Sequence, residues 1–213
     1  LKRKGATNPK ISAVGGPCLA NGLANRIKSS VVIANKNIEI VKEIGKIIST
    51  KYYSTEFSKD IVGVEVCAAI KNIYSMLIGA SVGLSSDNAD DNIKSKYYLN
   101  TAASLVHKSM SEMRKIVKKL NGNEETVFGL AGLGDLHVSA AGGRNSKMGS
   151  YLGKGMLFLD AKEEYMKEIT IEGAELALEI GPKILREFDK NEFPLLFSML
   201  DAICNNKKLI IYW

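Results

Sequence analysis

A chain of 213 residues, 46% of them hydrophobic, can bury the core of one domain or of a small domain plus part of another, and no long stretch has a disordered composition. The net charge of +6 invites a nucleic-acid reading, but acids alternate with the lysines, as in Lys36–Glu39–Lys42–Glu43–Lys46, and aromatics reach only 7%. That pattern reads as a solvated face, so nucleic acid is set aside and the basic excess is left to serve a small anionic ligand. Three widely spaced cysteines (Cys18, Cys67, Cys204) make neither a disulfide framework nor a CxxC metal knuckle, and two histidines (His107, His137) cannot make a His-rich metal site. Both histidines read as structural or solvated, no metal is expected, and a reducing, cytoplasmic setting fits.

Leu1 and the basic run Lys2–Arg3–Lys4 read as a truncated start, without the pattern of a signal peptide. Next come short strands alternating with helices. Ile11–Val14 and Val31–Ala34 read as strands, with Gly15–Gly16–Pro17 and a short helix over Leu19–Ile27 between them. Ile38, Val41, Ile44 and Ile48 recur at helical spacing, and Lys51–Phe57 reads as a third strand. This is the rhythm of an α/β layer.

From about Ile61 the strands stop. Val62–Leu84 is a long apolar helical run, long enough to span a bilayer. Glu65, Lys71 and Asn72 lie within it, and a charge there costs about 2.5–3.5 kcal/mol in lipid. Gly63, Gly79 and Gly83 suit close helix packing, so a buried core helix is expected and no membrane span. The polar stretch Ser85–Lys96 reads as a loop. Thr101–Leu120 reads as a helix with Val106, Met110, Met113, Val117 and Leu120 on one face; Tyr97, Tyr98, Met110 and Met113 read as core. Further helices are expected at Ser146–Leu152, Glu172–Ile180 and Pro194–Cys204, with Pro182 ending or kinking one of them.

Two segments can carry chemistry. Lys71 sits mid-helix in CAAIKNIY, where burial makes a lysine a usable proton donor or acceptor; the competing reading is a lysine that snorkels outward or pairs with Glu65. Gly129–Asn145 holds five glycines in seventeen residues and reads as tight turns and close backbone approach, with Arg144–Asn145 at its end just before a helix. An arginine and free N–H groups at a helix start form a phosphate site, against the alternative of a surface turn with an exposed arginine. Gly129, Gly132 and Gly134 run GxxGxG, not the GxGxxG of dinucleotide binding, and no Walker A motif occurs.

Taken together these segments resemble the NAD(P)-dependent glycerol-3-phosphate dehydrogenases. GGPCLA at 15–20 resembles the family's GPSFA loop, GVEVCAAIKNIYSMLIGASVGL at 63–84 its GVELGGALKNV helix, and ETVFGLAGLGDL at 125–136 its GLAGLGDL turn. GGRNSKMGSYLGKG at 142–155 resembles its phosphate segment, and TIEGAELA at 170–177 its VEG helix start. The resemblance implies an α/β remnant of a Rossmann-like domain over residues 1–60. An all-α substrate domain over 61–213, like the C-terminal domain of 6-phosphogluconate dehydrogenase, would follow. It implies hydride transfer between NAD or NADP and a small phosphorylated substrate, interconverting dihydroxyacetone phosphate and sn-glycerol 3-phosphate in glycerophospholipid metabolism. A homodimer is left open.

By the same resemblance Lys71 matches the catalytic lysine. Asp135, Asn72, Ser139, Gly143, Arg144, Asn145, Gly16 and Cys18 match substrate positions, with Arg144 and Asn145 holding the phosphate. Arg144, Ala20, Thr170 and Glu172 match cofactor contacts. Cys18 departs from the family's serine, and the family's GxGxxG turn is absent, so residues 1–60 look like the last third of that domain and the chain alone is expected to be inactive. The rival readings are a reductase of the same architecture with another substrate and a non-catalytic paralogue.

Overall fold

The computed structural model describes Gly5 and residues 11–85 and 91–213, with residues 91–97 described by backbone alone. The basic run at 2–4 lies outside the described residues. Three strands come first: β1 (Ala13–Gly15), β2 (Ser29–Ala34) and β3 (Tyr53–Ser58), with a short helix α1 (Ala20–Ala24) and helix α2 (Ile38–Ile48) between them. The sheet order is β1-β2-β3. β1 runs antiparallel to β2, with Ala13 opposite Ala34 and Gly15 opposite Val32, and β2 runs parallel to β3, with Ser29 opposite Tyr53 and Ala34 opposite Ser58. The parallel pair requires a crossover, which α2 supplies. Asn37 starts it, its side chain accepting from Glu39 N at 3.0 Å, and Val41 is buried while the alternating charges stay on the outer face.

Helix α3 (Ile61–Leu84) is the axis of the rest. Asp60 caps it by accepting from Gly63 N at 2.9 Å, and its second oxygen accepts from Asn123 N (2.9 Å) and Thr126 Oγ1 (2.6 Å). A helix apolar all round has to be buried on all sides. Around α3 pack α4 (Asp91–Lys119), α5 (Asp135–Ala141), α6 (Arg144–Gly153), α8 (Glu172–Glu187) and α9 (Pro194–Cys204), and also β1; α7 (Phe158–Tyr165) sits against α6 and α9. Length and composition would let α3 cross a bilayer, but here it is the central helix of the packed core.

The α3–α6 contact is close because both helices offer glycine. A Cβ on Gly79 or Gly83 would overlap the carbonyl oxygens of Ser146 and Ser150, and one on Gly149 or Gly153 would overlap those of Met76 and Ala80. Gly63, also expected to serve helix packing, instead leaves room for the Asp60 carboxylate.

Several expectations need correction. Ser85–Lys96 is not a loop throughout: α4 starts at Asp91, an acid favoured in a first turn. Residues 86–90 and the side chain of Tyr97 lie outside the description. On α4, Met110, Met113 and Val117 are buried, but Leu120 lies past the helix end and is half exposed. The glycine-rich stretch, preceded by a 3-10 turn (Glu124–Phe128), is mostly helical, with a π turn (Leu130–Gly134) and then α5, while the close backbone approach expected of it is found at Gly132, where a Cβ would overlap Val127 O. Pro182 does not end α8, because its missing donor falls opposite Leu178, where the chain is half exposed and water can take the carbonyl.

A buried acid was not foreseen. Glu112, 4% exposed, accepts from Leu195 N at 2.7 Å, Leu196 N at 2.9 Å and the hydroxyl of fully buried Tyr74 at 2.9 Å, so it caps α9 from α4. Burial holds its carboxyl above the usual range against the opposing pull of those hydrogen bonds and of Lys115.

Gly149→Ala gives the sharpest test of the packing. In an open helix alanine is favoured over glycine by about 1 kcal/mol. Here the sign should reverse, with a loss of about 1–3 kcal/mol or more as the helices are forced apart. Gly129→Ala, whose Cβ would meet only Thr126 O at 3.4 Å, should stay within about 0.5 kcal/mol. Thermal or denaturant unfolding of both variants reads the difference.

Candidate active site

Packing α3 against α5 and α6 brings three distant stretches of sequence to one place. Lys71 leaves α3 ten residues after its start, and Asp135 is the first residue of α5. Lys71 Nζ lies 2.5 Å from Asp135 Oδ1, with the side chains 15% and 13% exposed. Lys71 therefore neither snorkels nor pairs with Glu65, which is exposed. A largely buried ion pair is held in one geometry, and removal of either partner leaves a charge without compensation.

Beside that pair is a cavity of about 290 Å³ lined by Leu19, Lys71, Asn72, Val138, Ser139, Gly142, Gly143, Arg144, Asn145 and Glu172. Asp135, Val138, Ser139 and Gly142 follow helical spacing, so one side of α5 faces this region. Arg144 and Asn145 are not before α6 but are its first two residues. Gly143 takes the cap position without any side-chain cap, so the free N–H groups of the first turn stay open to a ligand. The Arg144 guanidinium pairs with the Glu172 carboxylate at the start of α8, in the exposed part of the cavity.

Asn145 is 7% exposed and already committed. Its Nδ2 donates to Asn72 Oδ1 at 3.2 Å, and its Oδ1 accepts from Gly173 N at 2.9 Å. Gly173 has to be glycine, since a Cβ there would come 2.5 Å from Asn72 O.

The remaining expected residues stand apart. Gly16, at φ +137°, Cys18, Ala20 and Thr170 are not in the cavity wall, and Ala20 and Thr170 are exposed. The loop that carries Gly16 and Cys18 does approach the site from behind: Gly134 is packed on Pro17, and Gly15 on Ala131. Leu19, Val138 and Gly142 line the cavity and were not anticipated; the signal for Val138 and Gly142 was their 3–4 spacing from Asp135. Cys67, one turn before Lys71, is fully buried, and its thiol is pushed up to about 12 by burial and then by Asp60, which rules it out as a nucleophile near neutral pH. Among the described residues, no group of three His, Cys, Asp or Glu side chains could hold a metal ion.

The arrangement offers the Lys71–Asp135 ion pair, one arginine and an open helix start around one small cavity. That set suits a small ligand with an anionic end and a reacting oxygen.

Comparison with known proteins points the same way. The family described as NAD-dependent glycerol-3-phosphate dehydrogenase C-terminus matches residues 60–211. An NADP(+)-dependent glycerol-3-phosphate dehydrogenase from Archaeoglobus fulgidus is 33% identical over 177 residues, 81% of this chain and 51% of that protein. A glycerol-3-phosphate dehydrogenase [NAD(P)+] from Francisella philomiragia is 29% identical over 203 residues, 93% of this chain and 56% of that protein. The chain thus spans about half the length of the curated relatives it matches. Among solved structures, the glycerol-3-phosphate dehydrogenase from Coxiella burnetii superposes with a TM-score of 0.77 at 26% identity, over 92% of this chain and 57% of that one.

A double-mutant cycle tests whether Lys71 and Asp135 form one unit. Lys71→Met and Asp135→Asn alone should each destabilise the chain, by up to about 3–5 kcal/mol, because one leaves a buried carboxylate and the other a buried ammonium. The double variant should lose less than the sum. Strict additivity in denaturant unfolding would show that the two charges do not depend on each other.

Proposed function

The chain belongs to the NAD-dependent glycerol-3-phosphate dehydrogenase family through that family's C-terminal part, and from this we propose that it forms the substrate half of a glycerol-3-phosphate dehydrogenase. The reaction would interconvert dihydroxyacetone phosphate and sn-glycerol 3-phosphate. The observation that carries the proposal is the Lys71–Asp135 pair, 2.5 Å apart beside a cavity that also receives Arg144 at the open start of α6.

Each end of such a substrate has a matching group. The phosphate goes to Arg144 and the free N–H groups of the first turn of α6, where charge and helix dipole act together. Pairing with Glu172 steers the guanidinium and leaves other N–H donors of its fork for phosphate oxygens. The carbonyl oxygen goes to Lys71, which gives it a proton during reduction and takes one back during oxidation, while Asp135 fixes the ammonium in place. Ser139, Asn72 and Gly143 complete the wall.

Leu19 and Glu172 border the cavity, but Ala20 and Thr170 stand outside it, and the glycine order at 129–134 is wrong for a pyrophosphate. Leu19, Arg144 and Glu172 at the cavity wall are the residues of this chain that would meet the nicotinamide end of NAD or NADP. Bound there, nicotinamide would supply hydride to the substrate carbon. The sheet β1-β2-β3, with its parallel pair and α2 crossover, is read as the last part of a Rossmann-like layer over residues 1–60. The helical part from 61 onward is read as the substrate domain. The same reading carries a cytoplasmic setting and leaves a homodimer open. A non-catalytic paralogue is disfavoured by the joint presence of Lys71, Asp135 and Arg144 at one cavity.

The test joins this chain to the dinucleotide-binding half of a relative and follows NADH or NADPH oxidation with dihydroxyacetone phosphate. Lys71→Ala should lower kcat about 10²–10⁴-fold with little change in KM, since its proton is needed mainly as the alkoxide develops. Arg144→Ala should raise KM steeply, because phosphate is held in ground and transition states alike. A Lys71→Ala enzyme with near-normal turnover would refute the mechanism.

A further inference from the structure

The amide of a buried asparagine has two faces of opposite polarity, and its surroundings decide which way round it sits. At Asn145 the decision is made by a backbone group. Gly173 N belongs to the first turn of α8, where N–H groups have no partner within the helix, and it can only donate. Asn145 Oδ1 accepts it at 2.9 Å, so Asn145 Nδ2 must point the other way, to Asn72 Oδ1 at 3.2 Å. With its oxygen used in this way, Asn72 has its own Nδ2 left for the cavity it lines beside Lys71.

We propose that Asn145 is a positioning residue that relays the polarity of Gly173 N to Asn72, so that Asn72 presents a donor, and not an acceptor, to the cavity. The inference deepens the dehydrogenase reading and rests on it for its meaning in catalysis. The relay also connects neighbours of all the charged groups of the cavity: Asn72 follows Lys71, Asn145 follows Arg144, and Gly173 follows Glu172. One chain of two hydrogen bonds therefore sets the relative placement of α3, α6 and α8 where each enters the site. A substrate oxygen next to Lys71 then meets donors from both residues, which selects a carbonyl or alkoxide oxygen there and disfavours a group that must itself donate.

The relay uses one of the two Nδ2 hydrogens of Asn145, so this positioning role is compatible with the substrate role expected of the residue.

The test needs no turnover and uses the whole 213-residue chain. NMR of side-chain amides should show Asn145 Nδ2 protons exchanging about tenfold or more slower than those of exposed Asn37. Asn72 Nδ2 protons should exchange fast in the ligand-free chain. In Asn145→Asp both carboxylate oxygens are acceptors. Gly173 N keeps its partner, but Asn72 must turn over and donate to the new carboxylate, so its amide should shift and become about tenfold slower. An unchanged Asn72 amide in that variant would overturn the relay. Asn72→Asp provides the second arm: it keeps an accepting oxygen, so the slow Asn145 amide should persist. Loss of that protection would also overturn the proposal. Because no activity is read, inactivity of the fused enzyme would count against the dehydrogenase reading alone.

Discussion

Between α3 and α6 there is no room for a side chain. Gly79 and Gly83 on one helix and Gly149 and Gly153 on the other let the backbones meet, each carbonyl occupying the space where a Cβ would be. This contact sets the position of everything chemical. Lys71 and Asn72 lie on α3 just ahead of its glycines, and Arg144 and Asn145 lie on α6 just ahead of its own. An extra methyl in the seam would move Arg144 at the start of α6 away from the Lys71–Asp135 pair. For the three-carbon substrate proposed above such a shift would matter, since a misplacement of about 1 Å costs on the order of 10²-fold in rate.

Other devices hold the same frame from outside. Asp60 ties the start of α3 to the turn that leads into the Asp135 helix, through Gly63, Asn123 and Thr126. Glu112 reaches from α4 to the start of α9. In each case a carboxylate accepts the free N–H groups of a helix start, Asp60 for the helix that follows it and Glu112, from α4, for α9. The sheet is joined through the Gly15–Ala131 and Pro17–Gly134 contacts, which place the 15–18 loop behind the π turn and close to Asp135.

Periodicity and composition were enough to read α3, α2, α9 and the strand rhythm, because each has one dominant apolar pattern. The glycines at 79 and 83 also announced a close contact. The stretch from Gly129 to Asn145 misled in part, because its glycines were taken as a sign of tight turns as well as of close backbone approach. Gly132 is needed because a Cβ would overlap Val127 O, a packing demand within helical turns that spacing alone does not reveal. Pro182 misled in the opposite sense, since its helix continues where the lost hydrogen bond faces water. Lys71, Asp135 and Arg144 could be singled out from sequence, but their convergence is a product of the fold. The second bonds of Asn145 and the buried role of Glu112 were not legible at all, since both depend on partners far along the chain.

The central claim is that one cavity holds a phosphate at the start of α6 and a reacting oxygen at the Lys71–Asp135 pair. A crystal structure with sn-glycerol 3-phosphate bound tests it most directly. The phosphate should lie within hydrogen-bond distance of Arg144 and the first N–H groups of α6, with a carbon-bound hydroxyl against Lys71 Nζ. Phosphate bound elsewhere, or a ligand whose hydroxyl does not reach Lys71, would contradict the account.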